Sequence, residues 1–473
     1  MSTTTPHSQI LDTTRNTLRN AIFGAGPAGF YAAEELLKRS DHSIQVDLFD
    51  RLPNPYGLVR GGVAPDHPKI KSVIKQYEKI AQRPGFRFFG NVAFGSDLVL
   101  DEVLAHYHQI LFTTGAESDR RMGIPGENLP GSYPATALVG WYNGHPDYRD
   151  EHFDFSGIER IVVIGNGNVA MDITRILARS PQELAHSDIT SYALTALQQS
   201  GIKDIIVCGR RGPAQAAFTN PEIRELTELA GVDLVVRAEE IALDAINQNF
   251  LSAHGSEPLH QRNLEILNGQ LTKGEGSQSR KIHMRFFTSP VAILGKDQVE
   301  GIRLERNILI IDQQGNFSAQ GTGEYEDLPC QLVFRSIGDK GIPLPSVPFD
   351  ERKGTIPNKE GRVIDPATTT LLPRLYVAGW IKRGPSGVIG TNKPDAAATV
   401  EAMLADTSAT ALPSICTDPE VMPTLLTRKR VRYVTFFEWQ NIDKTEIANG
   451  QRVGKPREKL TTIPTLLAAT QAT

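Results

Sequence analysis

The sequence predicts an α/β protein built on two doubly wound parallel sheets, and three observations carry that prediction. Near residue 24 a glycine-rich turn stands between a short apolar run and an Ala/Leu-rich stretch of helical spacing. The same arrangement recurs near residue 165. Each turn is followed, one helix later, by another apolar strand, which is the βαβ pattern of a parallel sheet. With 473 residues the chain has room for two or three domains of about 100–200 residues each.

The elements follow in order. A first strand begins near Leu18 and runs into Gly24-Ala25-Gly26-Pro27-Ala28-Gly29, after which Ala32, Ala33, Leu36 and Leu37 keep helical spacing. Ile44 to Asp50 alternates apolar and polar residues and reads as a strand. Phe86, Phe88, Phe89 and Val92 suggest a short crossover strand, and Ile110 to Ala116 returns to the core. Ile161 to Ile164 leads into the second turn, Gly165-Asn166-Gly167-Asn168-Val169-Ala170, and Ile173, Ile176 and Leu177 continue as a helix. Between Ser180 and Ser200 the chain is longer than a minimal βαβ unit requires, which predicts an added helix before the strand Ile205 to Gly209. Residues 252–280 are rich in Gly, Ser, Gln and charge and read as a surface excursion. Leu332 to Ile337 and Leu375 to Ala378 are further strands. From Arg428 a mixed stretch with Tyr433, Phe436, Phe437 and Trp439 is expected to pack as a small appendage.

Composition narrows the function. Hydrophobic residues make up 40% and charged residues 22%, ordinary for a globular chain, and a net charge of −4 favours neither nucleic acid nor a membrane surface. Cys208, Cys330 and Cys416 are far apart, with no Cys-x-x-Cys, which excludes a disulfide scaffold, a cysteine-rich metal site and a common redox dithiol. A reducing, cytoplasmic setting is expected. No apolar run approaches the roughly 18–20 residues that span a bilayer. The residues before Leu18 lack a signal peptide's apolar core and read as a short leader. The Ser/Thr content of the first twenty residues, with Arg15 and Arg19, keeps an organelle transit peptide open as the alternative.

The turns carry chemistry. In Gly24-x-Gly26-x-x-Gly29 the first glycine makes the bend, the second lets the backbone approach a pyrophosphate, and the third lets helix pack on strand. Asp50 closes the next strand, where a ribose-binding acid belongs; alone, it would read as a solvated strand-end carboxylate. In the second turn, alanine fills the third slot, and the next strand ends in Arg210-Arg211 rather than in an acid. Two guanidiniums there suit a ribose 2′-phosphate; without the turn upstream they would read as a solvated loop pair. Two different turns imply two dinucleotides, FAD and NADPH being the economical pair. Nicotinamide delivers a hydride, whereas flavin can release electrons one at a time.

The motifs around these turns resemble a known family. Pro55-Tyr56-Gly57-Leu58-Val59-Arg60, Gly62-Val63-Ala64-Pro65-Asp66-His67-Pro68, Gly209-Arg210-Arg211-Gly212-Pro213 and Gly379-Trp380-Ile381-Lys382-Arg383-Gly384-Pro385 are similar to adrenodoxin reductase and the bacterial ferredoxin–NADP reductases. The resemblance covers the chain from about residue 20 to 465. It implies an NADP domain, residues 117–342, inserted in a discontinuous FAD domain, residues 18–116 and 343–473. It places FAD contacts on Ala28, Asp50, Leu58, Val92, Trp380, Gly387, Val388 and Ile389, beside Gly24, Gly26 and Gly29. NADP contacts fall on Asn166, Gly167, Asn168, Val169, Arg210, Arg211, Glu222 and Gly387. The implied acceptor is a ferredoxin-type iron–sulfur protein, or a flavodoxin, served by a monomer or weak dimer. Three departures stand out: Asp50 where the family has Glu, Asp339-Lys340 where an aromatic-basic pair is common, and a weakly basic 261–265.

At the flavin end, Trp380 replaces the Asp of related flavoproteins, and the resemblance lets its indole pack along the isoalloxazine. Gly384 to Thr391 opens a helical stretch through Leu404, whose N-terminus would favour negative charge on the ring. Lys382 and Arg383 suit either a bound carboxylate or solvent. Hydride transfer needs no side-chain acid or base. His67 either caps the Pro65–Pro68 turn or, as the resemblance implies, stands near the flavin and assists proton movement, with Glu225 as a second member of that network. Asp172 is expected to cap or pair within the NADP helix. No metal is expected. A diaphorase or quinone reductase, the small subunit of a glutamate-synthase-like complex, and a non-enzymatic flavin redox sensor are the alternatives.

Overall fold

The computed structural model describes residues 17–39, 43–253, 258–409 and 412–471, so most of the expected leader lies outside the described residues. The chain forms two compact units. The first comprises the residues up to Gly57, then Ile74–Ala116 and Gly341–Trp439; the second comprises Leu58–Val73, Glu117–Lys340 and the residues from Gln440 onward.

The first unit holds a seven-stranded sheet. Its order is Asn358–Lys359, Arg362–Ile364, Leu371–Val377, Gln109–Phe112, Thr17–Phe23, Ser43–Phe49 and Phe86–Phe89. The pairings from Leu371–Val377 onward are parallel, and the first two strands form an antiparallel edge. Phe23 stacks on Phe49 with ring centroids 4.9 Å apart, and both are buried. The helices Pro27–Leu37 and Asn392–Ala409 belong to this unit.

The second unit holds a six-stranded, wholly parallel sheet in the order Ser132–Pro134, Leu332–Arg335, Arg160–Ile164, Asp204–Cys208, Arg280–Arg285 and Val232–Val236. Its central strands are apolar on both sides because both faces are covered. Ile161, Val163, Ile205 and Val207 pack with Ile173 and Leu177 of the helix Asn168–Ala178. Val162, Ile164 and Ile206 pack with Ile302 and Leu304 of a three-stranded antiparallel sheet, Thr288–Leu294, Gly301–Ile311 and Phe317–Pro329.

The structure adds elements that were not expected and corrects one that was. That antiparallel sheet has no counterpart among the expected elements, although Ile302 and Leu304 alternate with Arg303 and Glu305 along it. The surface excursion is largely helical, with helices Ala245–Ala253 and Pro258–Lys273. Its core-facing positions include the buried amides Asn263 and Gln270 beside Leu264 and Leu267, so the apolar stripe is diluted in sequence. Asn263 is satisfied internally, donating to the Phe218 carbonyl at 3.1 Å and accepting from Asn220 at 2.8 Å. The single helix expected between Ser180 and Ser200 is two, Pro181–Leu184 and Ser191–Gln198. Among the described residues no helix is long and apolar enough to cross a membrane.

Two glycine turns and a buried histidine cluster

The two turns are made by the same backbone contacts. Gly24 donates its N–H to the Phe49 carbonyl at 2.8 Å, and Gly165 donates to the Cys208 carbonyl at 2.8 Å. Their φ angles are +111° and +113°, in the region that favours glycine. A Cβ at Gly24 would lie 2.4 Å from the Thr113 carbonyl oxygen, and one at Gly165 would lie 2.0 Å from that of Ser336. In the third slot a Cβ at Gly29 would meet the Gly24 oxygen at 2.2 Å, whereas Ala170 is accommodated, fully buried.

The middle glycines are different. A Cβ at Gly26 or at Gly167 would meet nothing within 4 Å. Protein packing therefore gives no reason for glycine there. Open space directly over the first turn of each helix is the shape a pyrophosphate requires, with unpaired N–H groups facing it. Both turns fit a dinucleotide.

The strand ends beside the turns carry opposite charges. Asp50 accepts from the Ala25 N–H at 2.8 Å through one carboxylate oxygen and from the Leu52 N–H at 2.9 Å through the other. It thus braces the first turn. Arg210 is exposed and Arg211 half-buried, and neither meets a carboxylate at ion-pair distance among the described residues. Burial and the neighbouring Arg210 charge lower the pKa of Arg211. Two uncompensated guanidiniums at one strand end fit a phosphate group.

The apolar positions divide. Leu58, Val169 and Val388 are 41%, 38% and 53% exposed, unusual for such side chains unless something else covers them. Ala28 and Val92 are buried, and the Val92 N–H donates to the Asp50 carbonyl. Gly379 lies against Ala28, where an added Cβ would come within 2.7 Å of the alanine Cβ, and this sets Trp380 beside the first turn. The indole Nε1 is buried without a partner among the described residues, while the residue is partly exposed. Its accessible surface is therefore not the N–H edge, which suits packing along a flat ring.

Lys382 is not a free cation: it pairs with Asp395 at 2.9 Å, and Asp395 also accepts from the Gly379 N–H at 2.6 Å. Arg383 donates to Thr391 at 3.2 Å and to Asn392 at 3.0 Å, bracing the loop that carries Gly387, Val388 and Ile389. The helix that follows begins at Asn392, after a 3-10 turn Ile389–Thr391.

His67 precedes the short helix Pro68–Lys71, but its side chain makes no capping bond. Its Nε2 lies 2.8 Å from Glu225, and its Nδ1 lies 3.4 Å from an Arg175 nitrogen. Arginine can only donate, so Nδ1 accepts; a neutral imidazole then carries its proton on Nε2 and donates to Glu225. The expected pair is assembled within the second unit.

Sequence reasoning missed what stands behind that pair. The Arg175 side chain has no exposure, and it donates two bonds to Asp66, at 2.8 and 3.0 Å, and one to Asp172 at 2.7 Å. It also contacts Glu222 at 3.2 Å and Glu225 at 3.3 Å. Asp172 and Arg175 are three residues apart, the spacing of a common surface pair. Only the fold shows that this pair is interior. Glu222, expected at NADP, lies in this cluster with 8% exposure.

Four carboxylates against Arg175, with Arg179 3.4 Å from Asp66, leave an excess of negative charge. Burial and the charge of Asp172 push Glu222 up to about 7, and burial raises Asp172 as well. Burial acts on Asp66 too, but the hydrogen bonds and charge of Arg175 hold it below the usual range. The cluster can hold a proton near neutrality. The ligand atoms of His67, Glu222 and Glu225 lie within 4.8 Å of one another, but Arg175 already supplies a cation to both carboxylates.

Comparison with known proteins agrees with this geometry. The profile of the family described as pyridine nucleotide-disulphide oxidoreductase matches residues 19–206. The chain is 46% identical over 456 residues to NADPH-ferredoxin reductase FprA of Mycobacterium tuberculosis, covering 94% of this chain and 98% of that protein. It is 40% identical over 463 residues to the mitochondrial NADPH:adrenodoxin oxidoreductase of Arabidopsis thaliana, covering 96% and 95% respectively. The structure of Mycobacterium tuberculosis FprA in complex with NADPH superposes with a TM-score of 0.90 at 44% identity, over 96% of this chain and 99% of that one.

Proposed function

Because the chain belongs to the adrenodoxin reductase and NADPH–ferredoxin reductase family of pyridine nucleotide-disulphide oxidoreductases, we propose that it passes electrons from NADPH, through FAD, to a ferredoxin-type iron–sulfur protein. The observation that carries this reading is the pair of matched turns with unmatched strand ends, Asp50 beside one and the unpaired Arg210 and Arg211 beside the other. One fold element used twice, with opposite charges at its end, takes two different dinucleotides.

Bound FAD supplies the conversion of a two-electron hydride into single-electron steps. The chain's own residues bind and orient. Gly24, Gly26, Ala28, Gly29 and Asp50 hold the FAD pyrophosphate and ribose. Val92 joins them, with Trp380, Gly387, Val388 and Ile389 along the ring. Asn166, Gly167, Asn168 and Val169 hold the NADPH pyrophosphate, and Arg210 and Arg211 select the 2′-phosphate. His67 and Glu225 hold a proton at the imidazole Nε2, with Arg175 fixing the tautomer. Glu222, whose carboxyl sits near 7, joins the same proton store at its expected place beside the nicotinamide nucleotide.

The test is NADPH-driven cytochrome c reduction by the purified holoenzyme, with and without a ferredoxin. Strong stimulation by ferredoxin is expected. Ferricyanide reduction with no ferredoxin-dependent cytochrome c reduction would sink the assigned acceptor and point to a diaphorase. For the proton role, His67→Gln and Glu225→Gln should each change the pH profile of ferredoxin-coupled turnover while leaving the KM for NADPH nearly unchanged. An unchanged profile in both variants would remove that role.

A further inference from the structure

The segment Leu58–Val73 carries His67 yet has little core of its own. Its buried apolar side chains are Val59, Ala64 and Pro65, too few to order a segment of this length against its chain entropy. It lies in the second unit, although its flanking residues in sequence, Gly57 and Ile74, belong to the first. Something other than apolar burial must hold it.

Charged groups do so at both ends. Arg60 donates two hydrogen bonds to Glu446, at 2.8 and 2.5 Å, and the glutamate is fully buried. Glu446 also accepts from Arg457 at 2.9 Å and from the Leu460 N–H at 2.9 Å, so its own position is set by the chain's last segment. Near the other end Lys71 donates to both oxygens of Asp188, at 2.6 and 2.8 Å. Lys459 ties the two ends together. Its ammonium donates to the Arg60 carbonyl at 3.3 Å and lies 3.3 Å from Asp188, with 1% of its side chain exposed. Between these anchors Asp66 meets Arg175 and His67 meets Glu225.

We propose that Glu446 and Lys459 are positioning residues for His67: they clamp the two ends of the segment that presents its imidazole to Glu225. Neither touches His67, and the effect passes through the backbone of residues 60–71. A hydrogen bond weakens steeply with misalignment, so a small shift of this segment breaks the His67–Glu225 contact. The inference rests on the proton-holding role given to that contact above.

The experiment uses the full-length holoenzyme with 15N-labelled histidine. The His67 ring signals are assigned by their loss in His67→Gln, and Glu225→Gln supplies the reference for a broken contact. In Glu446→Gln the His67 nitrogen shifts should move toward those of Glu225→Gln, and Asp188→Asn, which frees the Lys71 end, should do the same. Lys459→Arg keeps the charge and should retain the wild-type shifts. Ferredoxin-coupled turnover in the two loosened variants should fall between about tenfold and a hundredfold, as expected for a misplaced group. Wild-type His67 shifts in both Glu446→Gln and Asp188→Asn, whatever happens to the Tm, would overturn the inference and leave these residues with a packing role. Should His67→Gln itself keep wild-type turnover and pH profile, the proton role fails, while the shifts still decide whether Glu446 positions the ring.

Discussion

The guanidinium of Arg175 grips the carboxylate of Asp66 through two hydrogen bonds, 2.8 and 3.0 Å long, with none of the arginine side chain exposed. The same arginine also lies within ion-pair distance of Asp172, Glu222 and Glu225. Removing it strands these carboxylates together in the interior. Arg175→Met should therefore destabilise the protein by about 3–5 kcal/mol, read by urea unfolding. Arg175→Lys should rescue only part of the loss, because an ammonium cannot make the forked contact.

Glu222 makes stability depend on pH in an unusual direction. Its carboxyl is at about 7 when folded, against an ordinary 4.5. The folded protein therefore holds this proton in a range where the unfolded chain has released it. The contribution is fully present below about pH 4.5 and is lost as pH rises to about 7, a change of roughly 3 kcal/mol. Glu222→Gln, always neutral, should match the wild type near pH 5 and be more stable near pH 8. Urea unfolding across that range checks it; a variant that keeps the wild-type slope would assign the slope to another group.

Arg210 and Arg211 should decide between the two nicotinamide cofactors. A charge-assisted hydrogen bond contributes about 1.5–3 kcal/mol. Replacing either arginine by Gln should raise the KM for NADPH by about tenfold to a hundredfold and leave that for NADH unchanged. Equal effects on both cofactors would show that the arginines hold the loop and not the phosphate.

The glycines of the second turn should separate folding from binding. Gly165→Ala puts a Cβ 2.0 Å from a backbone oxygen at φ +113°, so it should lower the Tm. Gly167→Ala meets no protein atom within 4 Å and should leave stability within about 0.5 kcal/mol of wild type. Its effect should appear only as weaker NADPH binding, measured by difference spectroscopy. A Tm loss in Gly167→Ala as large as in Gly165→Ala would contradict an open ligand space there.

The parallel sheets and both turns were legible because their signals are local. An apolar run, two glycines at fixed spacing and a charge at the next strand end all lie within one βαβ unit. The helix Pro258–Lys273 was not legible, since buried Asn263 and Gln270 look like surface residues until their partners or neighbours are known. The strand pair Gly301–Ile311 and Phe317–Pro329 is more exposed than a central sheet, and only every second residue of part of it faces the core.

Sequence alone thus determined the α/β class, the two glycine turns and the opposite charges at the strand ends beside them. It also singled out His67 and Glu225. Tertiary structure decided what surrounds them. Asp66, Arg175 and Glu222 are as far apart as residues 66 and 222, and nothing in the chain marks their charges as interior. Whether such groups are solvated or buried together changes their energies by several kcal/mol. Periodicity reports the conformation of neighbours in sequence, whereas the setting of a charge depends on residues that only folding brings beside it.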